Sequence, residues 1–139
     1  MPKPRVSLSH VLVYTLSRGR IDPSTDQAGF VKLTTIGRKS GQERTVYLMY
    51  FKDGASYVVT ASNAGRKVHP GWFFNLRSNP EVTIEVKGQR KKAVAEIAGP
   101  EQRSELWAKL LEIAPMYERY SKSTEREIPM VLLHPAGEQ

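Results

Sequence analysis

Residues 30–60, "FVKLTTIGRKSGQERTVYLMYFKDGASYVVT", decide the fold. Phe30–Ile36 alternates and is rich in β-branched residues, so it reads as a strand. Arg44–Lys52 reads as a second strand, apolar on both faces and therefore expected to be largely buried. Asp53-Gly54 is a hairpin turn, and Ala55–Ser62 supplies a third strand. Between the first two strands, the turn "GRKSGQER" gathers Arg38, Lys39 and Arg44 around Ser40, Gly37 and Gly41. Successive amides in such a turn can form an anion nest, and arginine adds a forked donor suited to phosphate or carboxylate. Ordinary solvated surface charge explains the same residues equally well.

Outward from this core, the pattern keeps alternating between short elements. Upstream, the Pro- and Asp-rich "IDPSTDQAG" is a loop. Before it, residues 7–18 carry Leu8, Val11, Leu12 and Leu16 at helical spacing, with Ser7 to cap and Arg18-Gly19 to end the helix. Docking on the body is the simpler role for this stripe; its basic ends also suit peripheral contact with a membrane. Downstream come a second loop, "NAGRKVHPG", a short helix in "WFFNLRSN", and a cleanly alternating strand, "EVTIEV". "KGQR" turns the chain into "KKAVAEIA". Gly99-Pro100 opens a helix with Leu106, Trp107, Leu110 and Leu111 on its buried stripe. Pro115 interrupts it, "MYERYSKSTERE" continues as a helical turn or short helix, and "IPMVLLHP" closes as a last strand. About six mostly antiparallel strands with three to four helices imply an α+β domain on a small, partly closed barrel, one domain over residues 1–139.

Composition narrows the chemistry. With no cysteine among 139 residues, a disulfide framework, a thiolate nucleophile and Cys-based metal sites are excluded. The formal net charge of +7 favours an anionic partner. No run approaches the roughly 20 apolar residues of a membrane span. The apolar start is broken by Ser9, His10 and Thr15 and lacks a cleavage site, which argues against a signal peptide and for a cytoplasmic protein. His10, His69 and His134 are scattered, and neither a nucleophile elbow, a Walker loop nor GxGxxG occurs. His69 reads as structural or solvent-exposed. Hydrolytic chemistry is thus poorly supported, and an enzyme of this composition would lean on a bound cofactor.

Two further stretches offer side chains for one. In "TASNAGRKVHPGWFFNL" a strand end, a glycine loop and a helix start come together. Trp72 and Phe73 suit the flanks of a planar ring and Asn75 its edge, while Phe74 and Leu76 read as core. In "PMYERYSK", Tyr117 and Tyr120 share a helix face, where they either line a pocket or pack with wet tips.

The ordered series "LTTIGRKSGQERTVYLMYF", "YVVTASNAGRKVHPGWFFNLRSNPEVTIEV" and "MYERYSKSTEREIPMVLL" resembles the deazaflavin (coenzyme F420)-dependent nitroreductase family of actinobacteria and relatives. The likeness runs from Gly29 to Pro135, leaving residues 1–28 as a variable N-terminal helix and loop. It implies a split β-barrel related to flavin mononucleotide-binding oxidases. Arg38, Lys39, Ser40 and Arg44 would then hold the phosphate and polyglutamate tail of F420. Ser62, Asn63, Trp72 and Asn75 would lie along the deazaflavin, and Tyr117 and Tyr120 would line the acceptor pocket. The implied reaction is hydride transfer from reduced F420 to a quinone, an enone or an activated nitro compound, with Ser62, Tyr117 or Tyr120 assisting charge or proton. Ala114 stands where nitroimidazole-activating members carry a third tyrosine, and Asn63 where they carry lysine. Both departures favour quinone or enone reduction.

The partners implied are a small-molecule acceptor and a second copy of the chain across an exposed barrel edge; no nucleic acid is expected, because the aromatics do not interleave with the basic residues. The rival readings are a flavin mononucleotide-dependent oxidoreductase of the same fold and a non-catalytic binder of an apolar ligand or nucleic acid.

Overall fold

The computed structural model describes residues 11, 14–17 and 28–136. The strands are β1 (Ala28–Ile36), β2 (Glu43–Asp53), β3 (Ser56–Thr60), β4 (Glu81–Val86), β5 (Gln89–Ile97) and β6 (Met130–Pro135). The helices are α1 (Gly71–Ser78), α2 (Pro100–Ile113) and α3 (Tyr117–Lys122), with a 3₁₀ turn at Asn63–Gly65. The six strands form a closed barrel in the order β1-β2-β3-β6-β5-β4, every neighbour antiparallel. The sheet closes where Lys32, Leu33 and Thr34 pair with Glu85, Ile84 and Thr83. Closure is partial along β2: β3 pairs only with Phe51–Asp53, so residues 43–50 pair with β1 alone and keep their other edge without a strand partner among the described residues.

Period-two patterning sorts the strands into two cores. Val31 and Leu33, Val59, Ile84, Val131 and Leu133 fill the barrel interior with Phe73 and Leu76 of α1. The alternate residues Phe30, Met49, Phe51, Val58, Met130 and Leu132 pack outward against Leu106, Leu110 and Ile113 of α2. Pro100 at the first turn, Gly99 before it and Glu101 at the positive end start α2 as the sequence predicts.

Two expectations change. Val11 and Tyr14–Leu16 are helical, but Tyr14 is the buried residue, stacked on Phe30 at 4.7 Å, whereas Leu16 of the predicted stripe is 79% exposed. Leu8 and Leu12 lie outside the described residues. β2 is buried only at Met49–Phe51; Val46, Tyr47 and Leu48 are half-buried. The helical turn or short helix expected within residues 116–127 is the six-residue Tyr117–Lys122.

Candidate active site

The half-buried stretch of β2 forms one wall of a groove of about 1120 Å³. Arg38, Lys39, Ser40 and Arg44 of the basic turn line one part of it; Ser62, Asn63, Trp72 and Asn75 line another, and Tyr117 and Tyr120 a third. All ten residues singled out in the sequence therefore share one cavity.

The basic turn is built by short-range bonds. Gly37 N–H donates to Gln42 O at 2.8 Å, and Gly41 N–H to Gly37 O at 2.8 Å. Gly41 takes φ of +71°, where glycine carries no Cβ penalty. Ser40 Oγ accepts from Gln42 N–H at 3.1 Å. Arg38, Lys39 and Arg44 project into solvent at the groove. Asn75 anchors this turn. Its Oδ1 accepts from Arg38 N–H at 3.1 Å, and its Nδ2 donates to Thr35 Oγ1 at 3.1 Å. Asn75 is buried, so its amide clamps the turn to the barrel rather than standing free for a ring edge. The Arg38 guanidinium lies 4.9 Å over the Phe74 ring, and Arg77 covers the same ring at 4.9 Å. Phe74, expected in the core, is thus half-buried beneath two cations. Phe73, expected beside a ring, is in the barrel core, while Trp72 belongs to both core and groove wall.

The opposite part is assembled from distant chain segments. After β3 the backbone enters a left-handed turn, with φ of 49° at Asn63, 54° at Ala64 and 77° at Gly65. Asparagine tolerates this region; alanine is strained there by about 1 kcal/mol. Asn63 Nδ2 donates to Val68 O at 3.0 Å, holding the loop in its bend. Gly65 sits against α3, where an added Cβ would meet the Tyr120 backbone at 3.1 Å. Tyr117 and Tyr120 meet edge to face at 5.3 Å. Burial, then the neighbouring Tyr120, pushes the Tyr117 phenol well above the ordinary tyrosine range; a hydrogen bond with Ser62 partly opposes this. Tyr117 is therefore a neutral donor throughout the physiological range.

Ala114 is fully buried at the end of α2 and belongs to the outer core, with its N–H donating to Leu110 O at 2.7 Å. It does not line the groove; Met116 does.

Sequence reasoning missed Arg126. Its Nη2 donates to Ser62 O at 2.7 Å, Nη1 to Ala61 O at 3.2 Å and Nε to Arg66 O at 3.0 Å. Nη1 also lies 2.9 Å from His69 Nδ1. Flanked by glutamates in "TEREI", it carries the signature of a solvated charge, and no local pattern marks it.

A basic turn, an apolar wall and a pair of phenols in one groove suit a long anionic ligand with a planar ring. The sequence profile of the family described as F420H(2)-dependent quinone reductase matches residues 7–135. This chain belongs to that family. The family member is 36% identical over 130 residues to an F420H(2)-dependent quinone reductase of Mycobacterium tuberculosis, covering 89% of this chain and 86% of the relative. It is also similar to a solved F420-H2 dependent reductase, with 33% identity, a TM-score of 0.69, and 76% of this chain and 93% of that one covered. A solved domain-swapped dimer matches with 33% identity and a TM-score of 0.69, over 76% of this chain and 79% of that one.

Proposed function

We propose that this family member is an F420H2-dependent reductase that delivers a hydride to a quinone in preference to an enone or an activated nitro compound. The observation that carries this reading is the continuity of the groove from the basic turn to the Tyr117–Tyr120 pair. The donor set fits the cofactor: Arg38, Lys39 and Arg44 match a phosphate followed by carboxylates, and Ser40 adds a hydroxyl. F420, when bound and reduced, supplies a two-electron hydride.

Each protein group then has a defined task. The arginines and lysine of the turn bind the anionic end, held in place by Asn75. Trp72 and the exposed faces of Val46 and Leu48 line the ring's enclosure and exclude water. Tyr117 keeps its proton and, with Ser62, offers a hydroxyl to the acceptor oxygen as negative charge develops there. Tyr120 forms the outer edge of that pocket and is a second proton source. A quinone needs only such hydroxyls and an apolar wall.

We place this chemistry in the cytoplasm. Peripheral membrane contact through residues 7–18 would rest on the exposed Leu16, since most of that segment lies outside the described residues. No described helix is long and apolar enough to cross a membrane. A homodimer would use the unpaired edge at residues 43–50 of β2 or exchange an element, as in the similar domain-swapped structure.

The test is titration of the protein with F420 and, in parallel, flavin mononucleotide, read by tryptophan fluorescence. Preferential F420 binding is expected. Arg38→Ala with Lys39→Ala should weaken it on the order of a hundredfold, from the loss of two charge-assisted contacts, while leaving the melting temperature nearly unchanged. Preference for flavin mononucleotide, or indifference to the double substitution, would overturn the reading.

A further inference from the structure

We propose that Arg126 is a positioning residue that fixes the tautomer of His69, so that the imidazole presents Nε2–H to a ring carbonyl oxygen of the ligand held in the groove. The ligand half of this statement rests on the function proposed above; the tautomer half does not.

The geometry begins with what arginine can do. A guanidinium has donors only. The contact of 2.9 Å between Arg126 Nη1 and His69 Nδ1 therefore makes Nδ1 the acceptor. In a neutral imidazole the single proton then resides on Nε2. Arg126 cannot swing away to release the ring, because its other donors are engaged by the carbonyls of Ala61, Ser62 and Arg66. The ring is also held by packing, 4.8 Å from Phe73 and 5.7 Å from Phe74. His69 lines the groove, and among the described residues no protein group is recorded as partner to Nε2. The wall thus carries an oriented donor with no acceptor among the described residues.

Charge supports the same assignment. The ionic groups acting on the ring are Arg126, from the segment before β6, and Arg77, from α1; both are cations, and both add to burial in holding His69 below its ordinary range. Phe73 and Phe74, the aromatic residues packed on it, bring no compensating charge. A neutral imidazole donates without adding positive charge, which suits a carbonyl rather than the anionic end of the ligand already served by the basic turn.

The experiment has two arms. In the first, long-range ¹⁵N–¹H correlation spectra of the full chain without cofactor are followed from pH 8 to pH 5. His69 should remain in the Nε2–H form through the ordinary imidazole midpoint of about 6.5. Arg126→Met should yield mixed tautomers and titration closer to that midpoint. A wild-type His69 protonated on Nδ1, or cationic at pH 6, would overturn the proposal, whether or not Arg126→Met folds. In the second arm, His69→Phe keeps an aromatic ring and removes the donor. It should weaken F420 binding, or raise the quinone KM, by roughly three- to tenfold, the span expected for one neutral hydrogen bond. The first result places the carbonyl on the cofactor, the second on the acceptor. If neither constant moves, the donor role is wrong. If wild-type protein binds no F420, the proposed function falls while the tautomer result stands.

Discussion

The two parts of the groove are built in opposite ways. The basic turn is contiguous in sequence, exposed, and closed on itself by bonds between residues five or fewer apart. The phenol side joins the end of β3 and its left-handed loop to α3 and Arg126, two stretches more than 50 residues apart. The first holds its charges in water, where each costs little to keep and is screened by salt. The second holds polar groups out of water, where every one needs a partner. A ligand bound across both would draw its attraction from one and its orientation from the other.

Glycine substitutions should expose that contrast most strongly. At Gly65 an added methyl would strike Tyr120's backbone at 3.1 Å and nearly coincide with Ser123 Oγ, at a φ of +77° that disfavours alanine. Gly65→Ala should cost roughly 3 kcal/mol in urea unfolding, summing overpacking and backbone strain. At Gly37 the methyl would meet Ser40 Oγ at 2.6 Å, an exposed side-chain end that can turn away at the loss of its bond from Gln42 N–H, and Gln42 O at 3.3 Å, while φ is not positive. Gly37→Ala should cost under about 1 kcal/mol. Equal losses would mean that the two parts are not built differently after all.

Tyr117→Phe sharpens the comparison at the chemical level. It removes one buried hydroxyl and leaves the basic turn intact. Quinone kcat/KM should fall roughly tenfold, within the range of a positioned proton donor, with F420 affinity unchanged. A loss of affinity without a loss of kcat would move Tyr117 from the acceptor to the cofactor.

The smallest effect is a pH dependence. His69 has a folded pKa below its unfolded value of 6.5, owing first to burial and then to Arg126 and Arg77. The fold therefore binds that proton less well than the unfolded chain, and stability present above pH 6.5 is lost as pH falls through the folded value. The melting temperature should drop further between pH 7.5 and pH 5.5 for wild type than for His69→Phe. An identical drop in both would remove His69 from the balance.

The same contrast explains what could be read from the chain. Strands such as Glu81–Val86 show their period directly, and "GRKSGQER" carries its charges side by side, so barrel and turn were legible. The helical spacing of Tyr117 and Tyr120 showed that they share a face, but it left packing and pocket lining open; only the family resemblance put them in the pocket. Arg126 was not, since its partners lie 57 to 65 positions away and its neighbours are ordinary surface charges. Asn75 was found as a groove residue, but its clamp on Thr35 and Arg38 spans 40 and 37 positions. β2 was misjudged for a different reason. Apolar residues predict the removal of water, and Val46 and Leu48 line a wall that the protein itself does not fully cover.

The strand order has a temporal side. β6 is the last of the described strands in chain order, yet it sits between β3 and β5. Until Met130–Pro135 docks, β3 and β5 lack the strand that each pairs with, and Arg126, which fastens the loop after β3, lies four residues before that strand. Closing of the barrel and fastening of the groove loop thus both depend on the segment from Arg126 to Pro135, and deleting Met130–Pro135 would leave β3 and β5 without the strand that joins them.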